Sequence, residues 1–320
     1  MLTVNKRDML KVAATSIHLE NNPVVWTSKY GSITFNQFGR EFPLGGINEA
    51  GLVIETLWLE ESTFPSVKDP KKPCINGEQW LQYVLDNYAN IQELIDNINH
   101  IQISARNFAK IHFFTSDHLG KSAALEYLNG TLIISKNDQS PPVLTNSTYE
   151  NSLAYLKRGS NSSDSTSSLS PFQKYSLKRF SLLANLIKKI SPQTREQEIK
   201  LAFDILKQVS HPTTTQWAIV YECEPPSLHY YHCRNDNAKI KTIDLSSLNF
   251  SCSSPVEIID LTGEITAQTP GHFIPYSLNL NRRLLKLWNL SLSQWLGFSL
   301  SPLEIEYLAQ YPESTIPTIL

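Results

Sequence analysis

The chain has 320 residues, with 28 Lys and Arg against 30 Asp and Glu, a formal charge of -2, 41% hydrophobic residues and 10% aromatics. A near-neutral chain of this size lacks the basic footprint of a nucleic-acid binder and can bury a core without metals or disulfides as scaffolding. Its apolar runs stop well short of the roughly 20 residues that a membrane-spanning helix needs, so a globular fold is expected.

In chain order, the first half reads as β. Val24–Thr27 and Ser32–Phe35 are rich in strand formers and are separated by a Tyr30-Gly31 turn. Phe42–Ile47 and Leu52–Leu59 flank Asn48-Glu49-Ala50-Gly51, where Asn and Gly can take the positive-φ positions of a tight antiparallel hairpin. Glu78–Tyr88 carries Trp80, Leu81, Val84, Leu85 and Tyr88 at helical spacing, and Ile91, Leu94, Ile95 and Ile98 continue the pattern. A second meander is expected over Ala109–Thr115, Lys121–Tyr127 and Thr131–Ser135, with an Asn129-Gly130 turn. Helices are expected at Tyr149–Lys157, Pro171–Ile190 and Thr194–Val209, then strands at Trp217–Tyr221, Leu228–His232 and Ile240–Ile243. A helical tail over 276–320 closes the chain, with helices at Tyr276–Trp288 and Pro302–Leu308. Antiparallel hairpins alternating with helix blocks argue for an α+β fold in one domain spanning 1–320. The Ser-rich stretch 159–171 can bury no apolar surface and is read as a flexible loop inside that domain.

Generic chemical motifs are missing: no phosphate loop, no Gly-rich dinucleotide turn, no His-Glu metal helix. His229 and His232 lie on one strand with odd spacing, so they face opposite sides and do not chelate one metal. Four cysteines, Cys74, Cys223, Cys233 and Cys252, show no zinc-ligand spacing; Cys223 and Cys233 flank a Pro-Pro turn, which leaves either a bridge or free thiols.

Several stretches together carry a resemblance. The segment from Trp26 to Leu59, with Gly46-Ile-Asn-Glu-Ala-Gly-Leu52 at its heart, is similar to the choloylglycine hydrolase family, the linear-amide hydrolases that include penicillin V acylases and bile salt hydrolases. Thr115–Glu126 resembles the family's second meander, Val143-Leu-Thr-Asn-Ser-Thr-Tyr149 its Leu-Thr-Asn motif, and Ser176-Leu-Lys-Arg-Phe180 its Ser-x-x-Arg-Phe motif. Gln216–Tyr221 and Lys239–Asp244 resemble its last strands, so the likeness runs in order from about Val4 to Leu261.

The resemblance implies an N-terminal-nucleophile (Ntn) hydrolase fold, an αββα sandwich of two antiparallel sheets between helix layers. It implies hydrolysis of a linear, non-peptide amide by an N-terminal Cys whose own α-amino group moves the proton. No metal and no organic cofactor are implied, and a homo-oligomer is left open. Asn146 matches the oxyanion-hole asparagine; as a residue alone, it also suits a cap for the helix starting near Tyr149. Arg179 matches the active-site arginine, or else is a solvated helix residue among Lys174, Lys178 and Lys188. Trp58 stands where bile salt hydrolases carry Asn; its backbone N–H can still serve the oxyanion, and its indole, unless simply a core residue, would wall the substrate site. That residue resembles the branch known mainly from Gram-negative bacteria, whose members hydrolyse penicillin V and N-acyl homoserine lactones. An aromatic wall suits phenoxyacetyl or fatty-acyl groups better than a bile-salt steroid.

At the start of the chain, Met1-Leu-Thr-Val-Asn-Lys-Arg7 matches only the family's third element. The nucleophile Cys, with the Arg and Asp that accompany it, is expected ahead of Met1, so the sandwich is expected to lack its first strand. The chain then reads as a truncated hydrolase, or alternatively as a catalytically dead relative that binds acyl ligands. Localisation, cytoplasmic or periplasmic, is left open.

Overall fold

The computed structural model describes residues 1–320 apart from 15–21, 67–68, 105–109, 138–139, 159–168, 192–193, 212, 234–238, 262–271, 297–298 and 319–320. Most of the Ser-rich stretch lies outside the described residues. The strands are β1 (Leu2–Asn5), β2 (Met9–Val12), β3 (Val25–Thr27), β4 (Ser32–Asn36), β5 (Pro43–Asn48), β6 (Val53–Trp58), β7 (Cys74–Asn76), β8 (Gln102–Ser104), β9 (Ile111–Ser116), β10 (Ser122–Leu128) and β11 (Thr131–Lys136), followed by β12 (Trp217–Cys223), β13 (Pro226–His232), β14 (Lys241–Asp244), β15 (Glu257–Ile259), β16 (Phe273–Pro275) and β17 (Ile316–Pro317). The helices are α1 (Gly77–Asn87), α2 (Ile91–Asn97), α3 (Tyr149–Arg158), α4 (Pro171–Ile187), α5 (Arg195–Val209), α6 (Leu278–Leu296) and α7 (Pro302–Gln310).

A nine-stranded sheet, β11-β10-β9-β6-β5-β4-β1-β15-β16, is antiparallel at every pairing. One face packs on α1 and α2 through Trp80, Leu81, Val84, Leu85, Ile91 and Leu94, which meet Ile54, Phe113 and Leu125 from the strands. The other face presents Leu2, Val4, Ile33, Ile47 and Val53 to Leu228, Tyr230 and Ile243 of a second sheet, β12-β13-β14. Beside that sheet, α3 and α4 cover the same face around Ala124, Val143, Tyr149 and Phe180. The Phe203 ring of α5 lies 5.2 Å from Tyr231 on the outer side of the second sheet. These are the four layers of the expected αββα sandwich, with both faces of the nine-stranded sheet covered.

Local chemistry explains the turns. Asn129 (φ 51°) and Gly130 (φ 74°) both lie in the left-handed region, as a two-residue hairpin between β10 and β11 demands. In the β5–β6 hairpin only Gly51 has positive φ (83°), and a Cβ there would meet the Cys223 carbonyl at 2.2 Å. Asn48 contributes its side chain instead. Its Oδ1 accepts from Ala50 and Leu52 N–H, and its Nδ2 donates to the Leu85 and Tyr88 carbonyls, tying the hairpin to the end of α1. Ser170 caps α4 with Gln173 as a reciprocal capping box, with Pro171 following in the first turn.

Two helix ends differ from expectation, and the open readings of the cysteines and of His229 are decided. The helix expected over Pro171–Ile190 ends at Ile187, and the one expected over Tyr276–Trp288 runs on to Leu296. Seven strands, β1, β2, β7, β8 and β15–β17, are too short for a period of two to stand out. The four cysteines are free. Cys223 lies at the turn of the β12–β13 hairpin, opposite Pro226, whereas Cys233 follows the rung pairing Trp217 with His232. The two thiols are thus separated by the length of the hairpin, roughly 20 Å at about 3.3 Å per residue, and do not bridge. His229 is satisfied by Glu222 Oε2 at 2.7 Å and Thr242 Oγ1 at 2.9 Å, as an ordinary strand histidine.

Candidate active site

The C-terminal end of β6 fixes the first component. Leu59 N–H donates to the Lys110 carbonyl at 2.9 Å, so on the β6–β9 ladder the pairs Leu59–Lys110 and Leu57–His112 are the hydrogen-bonded ones. Trp58, paired with Ile111 between them, turns its N–H and C=O to the opposite edge of the strand. There the register with β5 has ended at Gly45–Glu55, so the Trp58 peptide faces the site and not a neighbouring strand. The half-buried Trp58 indole donates to Glu60 Oε2 at 3.2 Å.

The second component sits on the segment ahead of α3. Val143, Leu144, Thr145, Ser147, Thr148 and Tyr149 are buried; Asn146 alone among them keeps partial exposure. Thr145 Oγ1 donates to the Ser176 carbonyl at 3.2 Å and Ser147 Oγ to Ser176 Oγ at 2.9 Å, clamping both neighbours of Asn146 onto α4. The capping role open to Asn146 falls to Thr148, whose Oγ1 accepts from Asn151 N–H at 3.3 Å. Asn146 instead donates from Nδ2 to the Trp58 carbonyl at 2.9 Å.

Arg179 is the third component. It projects from α4 with its Nη2 donating to Asn146 Oδ1 at 2.6 Å, a short charge-assisted bond. One helical turn earlier, the Tyr175 ring lies 4.7 Å beneath its guanidinium carbon. Burial lowers the Arg179 pKa, Tyr175 opposing; a guanidinium remains a cation under such a shift. Arg179 and Lys174 are half-buried where Lys178 and Lys188 are exposed, and the bond to Asn146 is what sets Arg179 apart from the other cations of its helix.

All three site residues named from sequence therefore meet in one chain of contacts, Arg179 to Asn146 to Trp58. The arginine takes the amide oxygen of Asn146, which forces the amide nitrogen toward Trp58. Nδ2 carries two hydrogens and spends one on the Trp58 carbonyl; the other is available to a developing oxyanion. Ser176, Tyr175, His112 and Glu126 support the cluster and were not singled out from sequence. Ser176 had a signal, as the first residue of the Ser-x-x-Arg-Phe stretch, and Tyr175 another, one turn from Arg179. Among the described residues no group of three or more His, Cys, Asp or Glu is placed to hold a metal ion, and no helix is long and apolar enough to cross a membrane.

Residues 5–258 match the linear amide C-N hydrolases, choloylglycine hydrolase family, and the chain belongs to that family. It is 28% identical over 293 residues to a penicillin V acylase of Pectobacterium atrosepticum, covering 78% of this chain and 77% of the relative. Among solved structures it resembles penicillin V acylase from Agrobacterium tumefaciens, with a TM-score of 0.66, 28% identity, and coverage of 81% of this chain and 83% of that one. A variant of conjugated bile acid hydrolase from Clostridium perfringens shares the fold, with a TM-score of 0.62 at 19% identity over 86% of this chain and 89% of that one.

Proposed function

We propose that the Arg179–Asn146–Trp58 cluster is the oxyanion side of an amidase acting on small linear amides with an aromatic or fatty acyl group, penicillin V and N-acyl homoserine lactones being the model substrates. The observation that carries this reading is the orientation of the Asn146 amide, held oxygen-first by a half-buried arginine and nitrogen-first toward the Trp58 peptide. Attack on an amide carbonyl moves charge onto its oxygen, and pre-aimed N–H donors stabilise that charge without reorganising. Asn146 Nδ2 and the Trp58 backbone N–H are such donors, on the same edge of β6. A protein that only bound acyl ligands would need an apolar wall but no such relay, so hydrolysis is favoured over mere binding.

The nucleophile in this reading is a Cys thiolate that carries its own free α-amino group, and Cys74, Cys223, Cys233 and Cys252 all have theirs in peptide bonds. Cys74 is buried on β7, on the helix-covered side of the fold. Burial pushes the Cys223 thiol up to about 11 and the Cys233 thiol upward as well, away from the thiolate form that attack requires. Trp58 in place of a small polar residue selects flat or flexible acyl groups over a steroid.

The test is release of amine from penicillin V, a long-chain N-acyl homoserine lactone and a taurine-conjugated bile salt by the protein purified from its source cells. Turnover of the first two in preference to the third is expected. Preference for the bile salt would overturn the role of Trp58, and no release from any of them would overturn the amidase reading.

A further inference from the structure

Beneath the oxyanion segment lies an acid–imidazole pair that the reaction as described leaves unused. His112 on β9 is 0% exposed and Glu126 on β10 is 2% exposed, with His112 Nδ1 and Glu126 Oε1 3.0 Å apart. Both Glu126 oxygens accept the Tyr149 N–H at 3.1 Å, and Tyr149 is the first residue of α3. A carboxylate is stabilised at a helix N-terminus by the unpaired N–H groups and the helix dipole, which accounts for a buried Glu here. The carboxylate offers only acceptors, so the Nδ1 of His112 carries the proton and donates it to Glu126.

The pair connects both halves of the oxyanion site. The His112 backbone forms the hydrogen-bonded rung with Leu57, the residue before Trp58. Its imidazole holds Glu126, which holds the start of α3 three residues after Asn146. The Asn146 amide must keep a 2.9 Å bond to the Trp58 carbonyl, yet the two residues belong to separate elements. Within the sheet, β9 lies between β6 and β10, so one buried contact fixes the α3 start relative to the end of β6.

We propose that His112 and Glu126 are positioning residues, a brace that sets the spacing between the Asn146 amide and the Trp58 peptide. The inference rests on the reading of Asn146 as an oxyanion donor. Neither residue touches substrate; they act through α3 and β6. Misplacing a catalytic donor by about 1 Å can cost on the order of a hundredfold in rate.

The experiment uses the 320-residue chain labelled with deuterium and nitrogen-15. The side-chain amide signals of Asn146 are identified by their loss in Asn146→Ala. In His112→Ala and Glu126→Gln those signals should move, and exchange of the Tyr149 amide should speed at least about tenfold. His112→Asn, whose Nδ2 replaces the Nδ1 donor, should restore both. Leu94→Ala, buried under the opposite face of the sheet, serves as a comparably destabilised control and should leave both unchanged. Unmoved Asn146 signals in folded His112→Ala and Glu126→Gln would overturn the brace, as would an equal shift in Leu94→Ala. If the signals move as expected while Asn146→Ala, made in a preparation that turns over penicillin V, keeps full turnover, the brace stands and the oxyanion reading fails.

Discussion

Asn146 and Trp58 stand 88 residues apart in the chain, and the Asn146 amide nitrogen donates to the Trp58 carbonyl oxygen at 2.9 Å. The bond joins a loop to the end of a strand, and the Arg179 guanidinium sets its direction from the far side of the amide. A side chain that neither caps a helix nor fills the core, yet is held at both polar ends, is arranged for a third partner.

Replacing that amide should therefore cost activity and little else. In a preparation that turns over penicillin V, Asn146→Ala should lower kcat by about a hundredfold or more. The melting temperature should stay nearly unchanged, because Thr148 caps α3. A parallel loss of stability would point to a scaffolding role for Asn146 and against the oxyanion assignment.

Arg179→Lys tests the relay separately. Lysine keeps the charge but loses the planar fork and the stacking on Tyr175, so the Asn146 amide is free to rotate. We expect kcat to fall at least about tenfold with KM within about twofold. Steady-state kinetics on the variant measure both, and an effect confined to KM would assign Arg179 to substrate binding.

The cysteines offer a covalent test. After incubation of the 320-residue chain with penicillin V, intact-mass spectrometry should find no acyl adduct on Cys74, Cys223, Cys233 or Cys252. The raised pKa of Cys223, about 11 through burial and a nearby Asp117, keeps it in the thiol form at neutral pH. A stoichiometric phenoxyacetyl adduct on any one of them would identify a nucleophile that we exclude.

Glu55 predicts a pH dependence of stability. Its carboxyl accepts a hydrogen bond from the Tyr221 hydroxyl across the two sheets, in space left by Gly45. Burial raises its pKa from 4.5 to about 7, the Tyr221 bond opposing. The folded chain holds this proton more tightly than the unfolded chain, so the contribution to stability is complete below about 4.5 and lost as pH rises through 7. Thermal melts from about pH 5 to about pH 8 should show that decline in the parent and a flatter profile in Glu55→Gln. Parallel profiles would remove Glu55 as the cause.

Lys11 tests the charged network on the helix-covered face. Its ammonium lies 2.7 Å from Glu41 and 2.9 Å from Asp86, with side chains at most 1% exposed, and Trp26 and Gln82 also donate to Asp86. Removing the cation leaves two carboxylates buried together, so Lys11→Met should cost about 3–5 kcal/mol in denaturant unfolding. A loss below about 1 kcal/mol would show that the carboxylates protonate or hydrate at little cost.

Local patterns determined a large part of this protein. The Asn129-Gly130 turn, the period of α1 through Trp80, Leu81, Val84 and Leu85, and the hairpin around Asn48-Glu49-Ala50-Gly51 each follow from short-range chemistry, and each forms where the residues indicate. The Leu-Thr-Asn and Ser-x-x-Arg-Phe stretches pointed to Asn146 and Arg179 because their spacing survives as linear text. What tertiary structure alone decided was which polar groups meet. Nothing near Asn146 in sequence excludes a helix cap; the structure instead gives both ends of its amide to Trp58 and Arg179, arriving from β6 and α4. His112 and Glu126 lie inside strands and read as ordinary polar residues until the sheet brings them 3.0 Å apart under a helix terminus. Hydrophobic periodicity encodes which face of an element is buried, whereas the pairing of buried polar groups depends on register and packing between elements distant in the chain.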